Sequence, residues 1–165
     1  MVKPDRILSE RQAGWLLTYY PPLFFQRIRV RFTDGFRSCD VRVRHSLLTR
    51  NLHGTTFGGA IFAAADPILA VMYWQRFLRL GEPVQAWLRS AAIRYLKPAT
   101  TDLTLRYNLT DDEVSEAAEA IRRHGRFSRT GSADALDRNR SLCAVIETEV
   151  YLRRPRGAQG EVSAF

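Results

Sequence analysis

Two cysteines, Cys39 and Cys143, are all that the 165 residues contain. Two thiols cannot build a disulfide framework, and they fall short of the four ligands of a structural zinc site. This usage fits a reducing compartment, and a cytoplasmic location is the expectation. The three histidines form no HExxH, and the chain has no CxxC and no cluster of carboxylates, so no metal is expected. Also absent are the GxSxG turn of a nucleophilic serine and the GxxxxGK[ST] loop that cradles phosphates. There is no internal repeat and no linker. The opening residues, MVKPDRILSERQAGWLL, spread their charges and lack the apolar centre of a secretory signal. At 18.9 kDa, with 45% hydrophobic and 25% charged residues, the composition is that of one globular domain, expected to span 1–165.

The formal charge is +8, and nearly all the positive charge is arginine. Residues 1–100 hold 15 basic and 6 acidic groups, while the last 65 come to −1. Such an excess suits an anionic partner: a phosphorylated small molecule, a nucleic acid or a lipid headgroup. The arginines alternate with aliphatic rather than aromatic residues in the strand-like segments, so no stacking platform for nucleic acid is evident and no such partner is expected. The longest run of low charge, Phe57–Trp74, holds Asp66 and Pro67 at its middle. A lone carboxylate is costly in lipid, so this run reads as an enclosed helix and no membrane partner is expected.

Along the chain, residues 5–18 have a partial apolar stripe, and Tyr20-Pro21-Pro22 ends that helix. Ile28, Val30 and Phe32 alternate with Arg29, Arg31 and Thr33. Asp34-Gly35 signals a hairpin turn, and Val41 and Val43 alternate with Arg42 and Arg44. A long helix is expected from about Gly58 to Leu80, apolar almost all round in its first half. Strands follow at about 85–96 and 101–109. Thr110 with Glu113 forms a capping box for a helix that Gly125 stops. A last hairpin takes about 126–136 and 141–153, and 154–165 is expected to fray. The order implies an α+β domain, a curved antiparallel sheet wrapped around the long helix.

Asp66 is the sharpest candidate, because a carboxylate within an apolar run must be paired, hydrogen-bonded or raised in pKa. Pro67 lacks an N–H and so kinks or restarts the helix there. Gly58-Gly59 sits at the helix start, where free N–H groups and the dipole favour a developing oxyanion. Asp66 follows Gly59 by two helical turns, too far for both to grip one small centre. Two antiparallel helices from different subunits would bring them together, which points to a homodimer. Asn51 and His53, just upstream, are able to bind a ligand or orient water. Arg89 and Arg94, after the helix, suit phosphate groups.

The segment NLHGTTFGGAIFAAADP, residues 51–67, resembles the signature region of hotdog-fold thioesterases of the phenylacetate-pathway type. More closely it resembles a hotdog subgroup that combines HGTxFGG with ADP, and RSAAIRYLKPA, 89–99, adds to the likeness. The resemblance covers about 20–155 and implies a hotdog fold, an acyl-CoA substrate and a dimer or dimer of dimers. It implies Asp66 as general base or nucleophile, Gly59 as the backbone N–H on the thioester carbonyl, and Asn51 as the residue placing water. Phe57, Gly58, Arg89 and Arg94 fall in substrate-binding positions; Phe57, Phe62, Met72 and Trp74 are candidates to shape an acyl tunnel, with a core role the expectation for any one of them. Coenzyme A enters as part of the substrate, and no separate cofactor is implied. Phe57 stands where active relatives carry a histidine, and Pro67 follows the acid. These two departures motivate a second reading, an acyl-CoA or lipid-like ligand binder without catalysis. A dehydratase pairing Asp66 with His53 is a third.

Overall fold

The structure, a computed structural model, describes residues 5–155. The elements run α1 (Glu10–Tyr19), α2 (Pro21–Phe24), β1 (Ile28–Thr33), β2 (Ser38–Val43), α3 (Gly58–Ala65), α4 (Ile68–Arg79), β3 (Gln85–Tyr95), β4 (Leu103–Asn108), α5 (Asp111–His124), β5 (Arg126–Leu136) and β6 (Leu142–Arg153). The six strands form one sheet in the order β1-β2-β4-β5-β6-β3, with every neighbour antiparallel.

Local chemistry sets most boundaries. Ser9 and Gln12 form a reciprocal capping box, so α1 begins at Glu10 rather than near residue 5. Thr110 and Glu113 do the same for α5, and Gly125 ends it in the left-handed conformation at φ 71°. Asp34, Gly35 and Phe36 all take positive φ in the β1–β2 turn. The expected long helix is divided into α3 and α4. Helical dihedrals persist through Asp66 and Pro67, but Pro67 cannot donate to the Ala63 carbonyl, and the hydrogen-bond ladder is interrupted there. The end expected to fray lies, beyond Pro155, outside the described residues.

The core lies between the concave face of the sheet and α3–α4. Ala60, Ile61, Ala64, Ile68, Met72 and Phe77 from the helices meet Val41, Leu105, Ala135, Ile146 and Leu152 from the strands, all buried. α4 approaches β5 so closely that a β-carbon on Gly131 would stand 2.5 Å from a Leu69 methyl. Of the candidates for an acyl tunnel, Met72 takes the core role also expected of it and is wholly enclosed, while Phe57 and Phe62 are exposed.

The two edges of the sheet differ. On the β1 edge, the Val30 N–H donates to Thr18 Oγ1 of α1 at 3.1 Å, and Gly14 lies flat against the strand. A β-carbon on Gly14 would stand 2.8 Å from the Val30 carbonyl oxygen. α1 thereby closes that edge. The β3 edge, eleven residues long, has no strand beside it among the described residues.

Candidate functional site

The loop between β2 and α3 is held by Asp102, a buried carboxylate that precedes β4. Its Oδ1 accepts the His45 backbone N–H at 3.0 Å, and its Oδ2 pairs with Arg42 at 2.6 Å and Arg138 at 3.3 Å. Burial opposes ionisation, but the His45 N–H and the two guanidinium groups prevail and hold the pKa of Asp102 below the usual carboxylate range. Further along, the Thr56 N–H donates to the Ala99 carbonyl at 2.8 Å and the Phe57 N–H to the Thr49 carbonyl at 2.7 Å. These bonds deliver the chain to the start of α3 at a fixed point beside the end of β3.

Asn51 is occupied within its own turn. Its Oδ1 accepts the N–H groups of His53 and Thr55 at 3.0 and 3.1 Å, and its Nδ2 donates to Thr55 Oγ1 at 2.9 Å. The residue therefore shapes the loop that walls the site. His53 stands exposed at the tip of this turn.

Gly58 and Gly59 open α3 between two aromatic rings. A β-carbon on Gly58 would lie 2.6 Å from the Tyr95 hydroxyl, and one on Gly59 would collide with the Phe57 ring. A side chain at either place would push one of these two exposed rings aside, so the close approach rather than φ is what suits glycine here. Neither Gly58 nor Gly59 donates its backbone N–H to an acceptor among the described residues. Asn51, Gly58, Ile61, Tyr95 and Lys97 border a cavity of about 360 Å³ at this helix start. Tyr95 and Lys97 were not singled out from the sequence as site residues. Their only signal is the phrase Tyr-Leu-Lys-Pro at the end of a strand, and it takes the fold to carry that strand end to the helix.

Asp66 ends α3, with its N–H bonded to the Phe62 carbonyl at 3.1 Å. Its side chain has no hydrogen bond or ion pair among the described residues. It is exposed, but the surrounding protein desolvates the carboxylate enough to raise its pKa. Seven residues separate it from Gly59, roughly 10 Å along the helix. Arg89 lies toward the far end of β3, bonded to Glu149 at 3.2 Å and Ser128 at 3.4 Å. Arg94 is exposed, one residue before Tyr95, and forms no ion pair among the described residues. One chain thus brings Asn51, Gly58 and Gly59 together, with His53 on the Asn51 turn, and leaves Asp66 and Arg89 apart from them. Among the described residues, no group of three or more His, Cys, Asp or Glu side chains could hold a metal ion.

The architecture matches solved structures along nearly its whole length. A Pseudomonas aeruginosa protein of unknown function described as a probable thioesterase, PA5026, superposes with a TM-score of 0.78 at 14% identity, over 90% of this chain and 98% of that one. The Haemophilus influenzae thioesterase HI1161 gives 0.67 at 14%, over 94% and 98%. The Escherichia coli PaaI protein from the phenylacetic acid degradation operon gives 0.59 at 13%, over 89% and 96%. At such identities the likeness is one of fold, and the fold is the hotdog fold. No functionally curated protein matches the sequence. Residues 17–127, most of the chain, match a family described as a domain of unknown function, DUF4442, and the chain is a member of that family.

Proposed function

We propose that the protein is an acyl-CoA thioester hydrolase that works as a homodimer. The observation that carries this reading is the start of α3, where the Gly58 and Gly59 N–H groups are unengaged and Gly58 borders the 360 Å³ cavity. A thioester carbonyl against these N–H groups would be polarised, and its oxygen stabilised as negative charge develops.

The open β3 edge supports the dimer. Antiparallel pairing of two such edges would join the sheets and set α3 of one protomer against α3 of the other. A single helix cannot supply both groups, given the separation of Gly59 and Asp66. In the dimer, Asp66 of the facing protomer would stand opposite the Gly59 N–H. The exposed Phe57 and Phe62 would be covered in the same step.

In the reaction, the Asp66 carboxylate removes a proton from water as the water oxygen attacks the thioester carbon. The tetrahedral oxyanion rests on the Gly59 N–H. Its collapse breaks the carbon–sulfur bond, and the departing thiolate of coenzyme A takes up the proton. Asn51 acts by fixing the wall of the site. Arg94, one residue from the cavity and unpaired, is placed to meet phosphate groups.

Release of free thiol from a panel of acyl-CoAs, with wild type beside Asp66→Asn, tests the proposal. Turnover in wild type that vanishes in the variant is expected. Turnover unchanged in the variant would overturn the role of Asp66. Tight binding with no turnover in wild type would favour the non-catalytic reading, to which Phe57 and Pro67 point.

A further inference from the structure

The N-terminal helices carry a surface that the proposed hydrolysis does not use. Five of the aromatic residues between positions 15 and 25 are exposed: Trp15 at 62%, Tyr19 at 54%, Tyr20 at 56%, Phe24 at 44% and Phe25 at 66%. They are not scattered. Trp15 packs on Tyr19 with ring centroids 4.7 Å apart, Tyr19 on Phe24 at 5.9 Å, and Phe24 on Phe25 at 5.6 Å. Leu16, on the same turn as Trp15, is also exposed. An apolar patch of this continuity on a folded domain marks a contact surface.

The patch is bordered by unpaired positive charge. A groove of about 580 Å³ between α1 and β1 is lined by Arg11, Trp15 and Tyr19 on the helix side and by Arg29 and Arg31 on the strand side. A smaller groove continues from it, where Tyr19 and Phe24 meet Arg27, Arg29 and Arg44. All five arginines are exposed, and none has an ion pair or a side-chain hydrogen bond among the described residues. The nearby acids are engaged elsewhere: Glu10 accepts the Phe36 N–H at 3.1 Å, and Asp40, opposite Arg31 in the ladder, pairs with Arg106 at 2.7 Å.

We infer that this aromatic and arginine face docks on an anionic lipid membrane surface. Tryptophan and tyrosine favour the headgroup region, phenylalanine and leucine reach the acyl boundary, and the arginines meet lipid phosphates. Charge decides against a second copy of the chain as the occupant. A twofold interface through this face would set five unpaired arginines against the same five. Ring geometry decides against nucleic acid. The Tyr19 and Phe24 rings already face each other with planes 24° apart, so those faces are not open to bases, and aliphatic Leu16 offers a base nothing to stack on. The inference concerns contact with a bilayer surface rather than a span, and among the described residues no helix is long and apolar enough to cross a membrane. It departs from the expectation of no membrane partner: the Phe57–Trp74 run is helix of the fold, and the contact surface lies instead on α1 and α2. It stands independently of the thioester chemistry.

Vesicle flotation tests it. The vesicles are phosphatidylcholine alone, or phosphatidylcholine and phosphatidylglycerol in equal parts, in dilute buffer and at about 1 M salt, where charges are screened beyond roughly 3 Å. The full chain is compared with Arg29→Gln/Arg31→Gln and with Trp15→Ala/Phe25→Ala, each checked for an unchanged circular dichroism spectrum and unchanged mass in solution. Wild type is expected to float with the anionic vesicles only, and to be released by salt. Each neutralised arginine is expected to lower partitioning about fivefold. The aromatic pair should lower it as well, in a manner that salt does not mimic. Failure of wild type to float with anionic vesicles overturns the inference, as does flotation that neither double variant weakens. Capture of a single-stranded oligonucleotide that both variants abolish, without vesicle binding, would overturn it in favour of nucleic acid. A halved solution mass for Trp15→Ala/Phe25→Ala would overturn it in favour of a second copy.

Discussion

The Tyr95 hydroxyl lies directly over the α-carbon of Gly58, 2.6 Å from where a β-carbon would stand. The side chain at the end of the outermost strand thereby rests on the start of the central helix, where glycine leaves room for it. This contact also forms part of the wall of the cavity at Asn51 and Lys97.

The contact predicts a compensating pair. Gly58→Ala is expected to cost about 1 kcal/mol, because the exposed Tyr95 ring must turn away from its preferred rotamer to make room. Tyr95→Ala by itself should cost little, since the tyrosine is 56% exposed. Placed in one chain, the two substitutions should recover most of the loss. Denaturant unfolding of the four proteins gives the coupling directly. Additive losses would mean that the collision is relieved in some other way.

Asp66 carries a pH signature of two kinds. Its pKa is raised by desolvation, so the acid limb of any hydrolysis should lie above the ordinary aspartate value of about 4. For stability the sign is opposite. A group with a raised folded pKa favours the fold fully below its unfolded pKa, and that contribution is lost as pH rises through the folded value. Asp66→Asn cannot ionise and avoids this loss. At neutral pH it should be slightly more stable than wild type, by at most about 1 kcal/mol because the side chain is exposed. At about pH 3 the two should coincide. Thermal melts across pH read this without reference to activity.

The shared site makes a prediction that a single-chain site does not. Gly59→Pro removes the proposed N–H donor in the first helical turn; its ring must also displace the exposed Phe57 side chain, so the variant is first checked for an unchanged circular dichroism spectrum and an unchanged dimer mass. Both Gly59→Pro and Asp66→Asn should be inactive by themselves. Dissociated together and reassociated in equal amounts, they should recover about a quarter of wild-type turnover, from the one intact site of each mixed dimer. No recovery from a mixture shown to form mixed dimers would place both groups in one protomer's site.

Asp102 should matter at neutral pH and less in acid. Its folded pKa is lowered, so its contribution is present above the unfolded carboxylate pKa and is lost as pH falls through the folded value. Asp102→Asn is expected to cost about 1–3 kcal/mol at neutral pH, as the ion pairs with Arg42 and Arg138 are lost and the His45 N–H keeps at best a neutral acceptor. The cost should shrink in acid, where wild type loses the same interactions. Chemical denaturation at several pH values measures it.

Much of this protein was legible locally. Thr110 with Glu113 and Gly125 delimit α5 through caps that need only neighbouring residues, and alternation places Val41 and Val43 inward with Arg42 outward. Asp66 and the Gly58-Gly59 pair stand out because charge and absent side chains are conspicuous in an apolar run. The occupation of Asn51 is less conspicuous. An asparagine able to hold water is equally able to bond its own turn, and the backbone path decides between them.

The sequence by itself determined most of the elements, though not α2, marked Pro67 as a kink or restart within the long helix, and determined the α+β class, because propensity, capping and hydrophobic period act over a few residues. Only the tertiary structure decided that β3 leaves its sequence neighbours for the far edge beside β6, that α1 closes the opposite edge through Gly14 and Thr18, and that Tyr95 meets Gly58. Those outcomes depend on which distant surfaces bury each other best. That is a property of the packed chain as a whole, and no local pattern carries it.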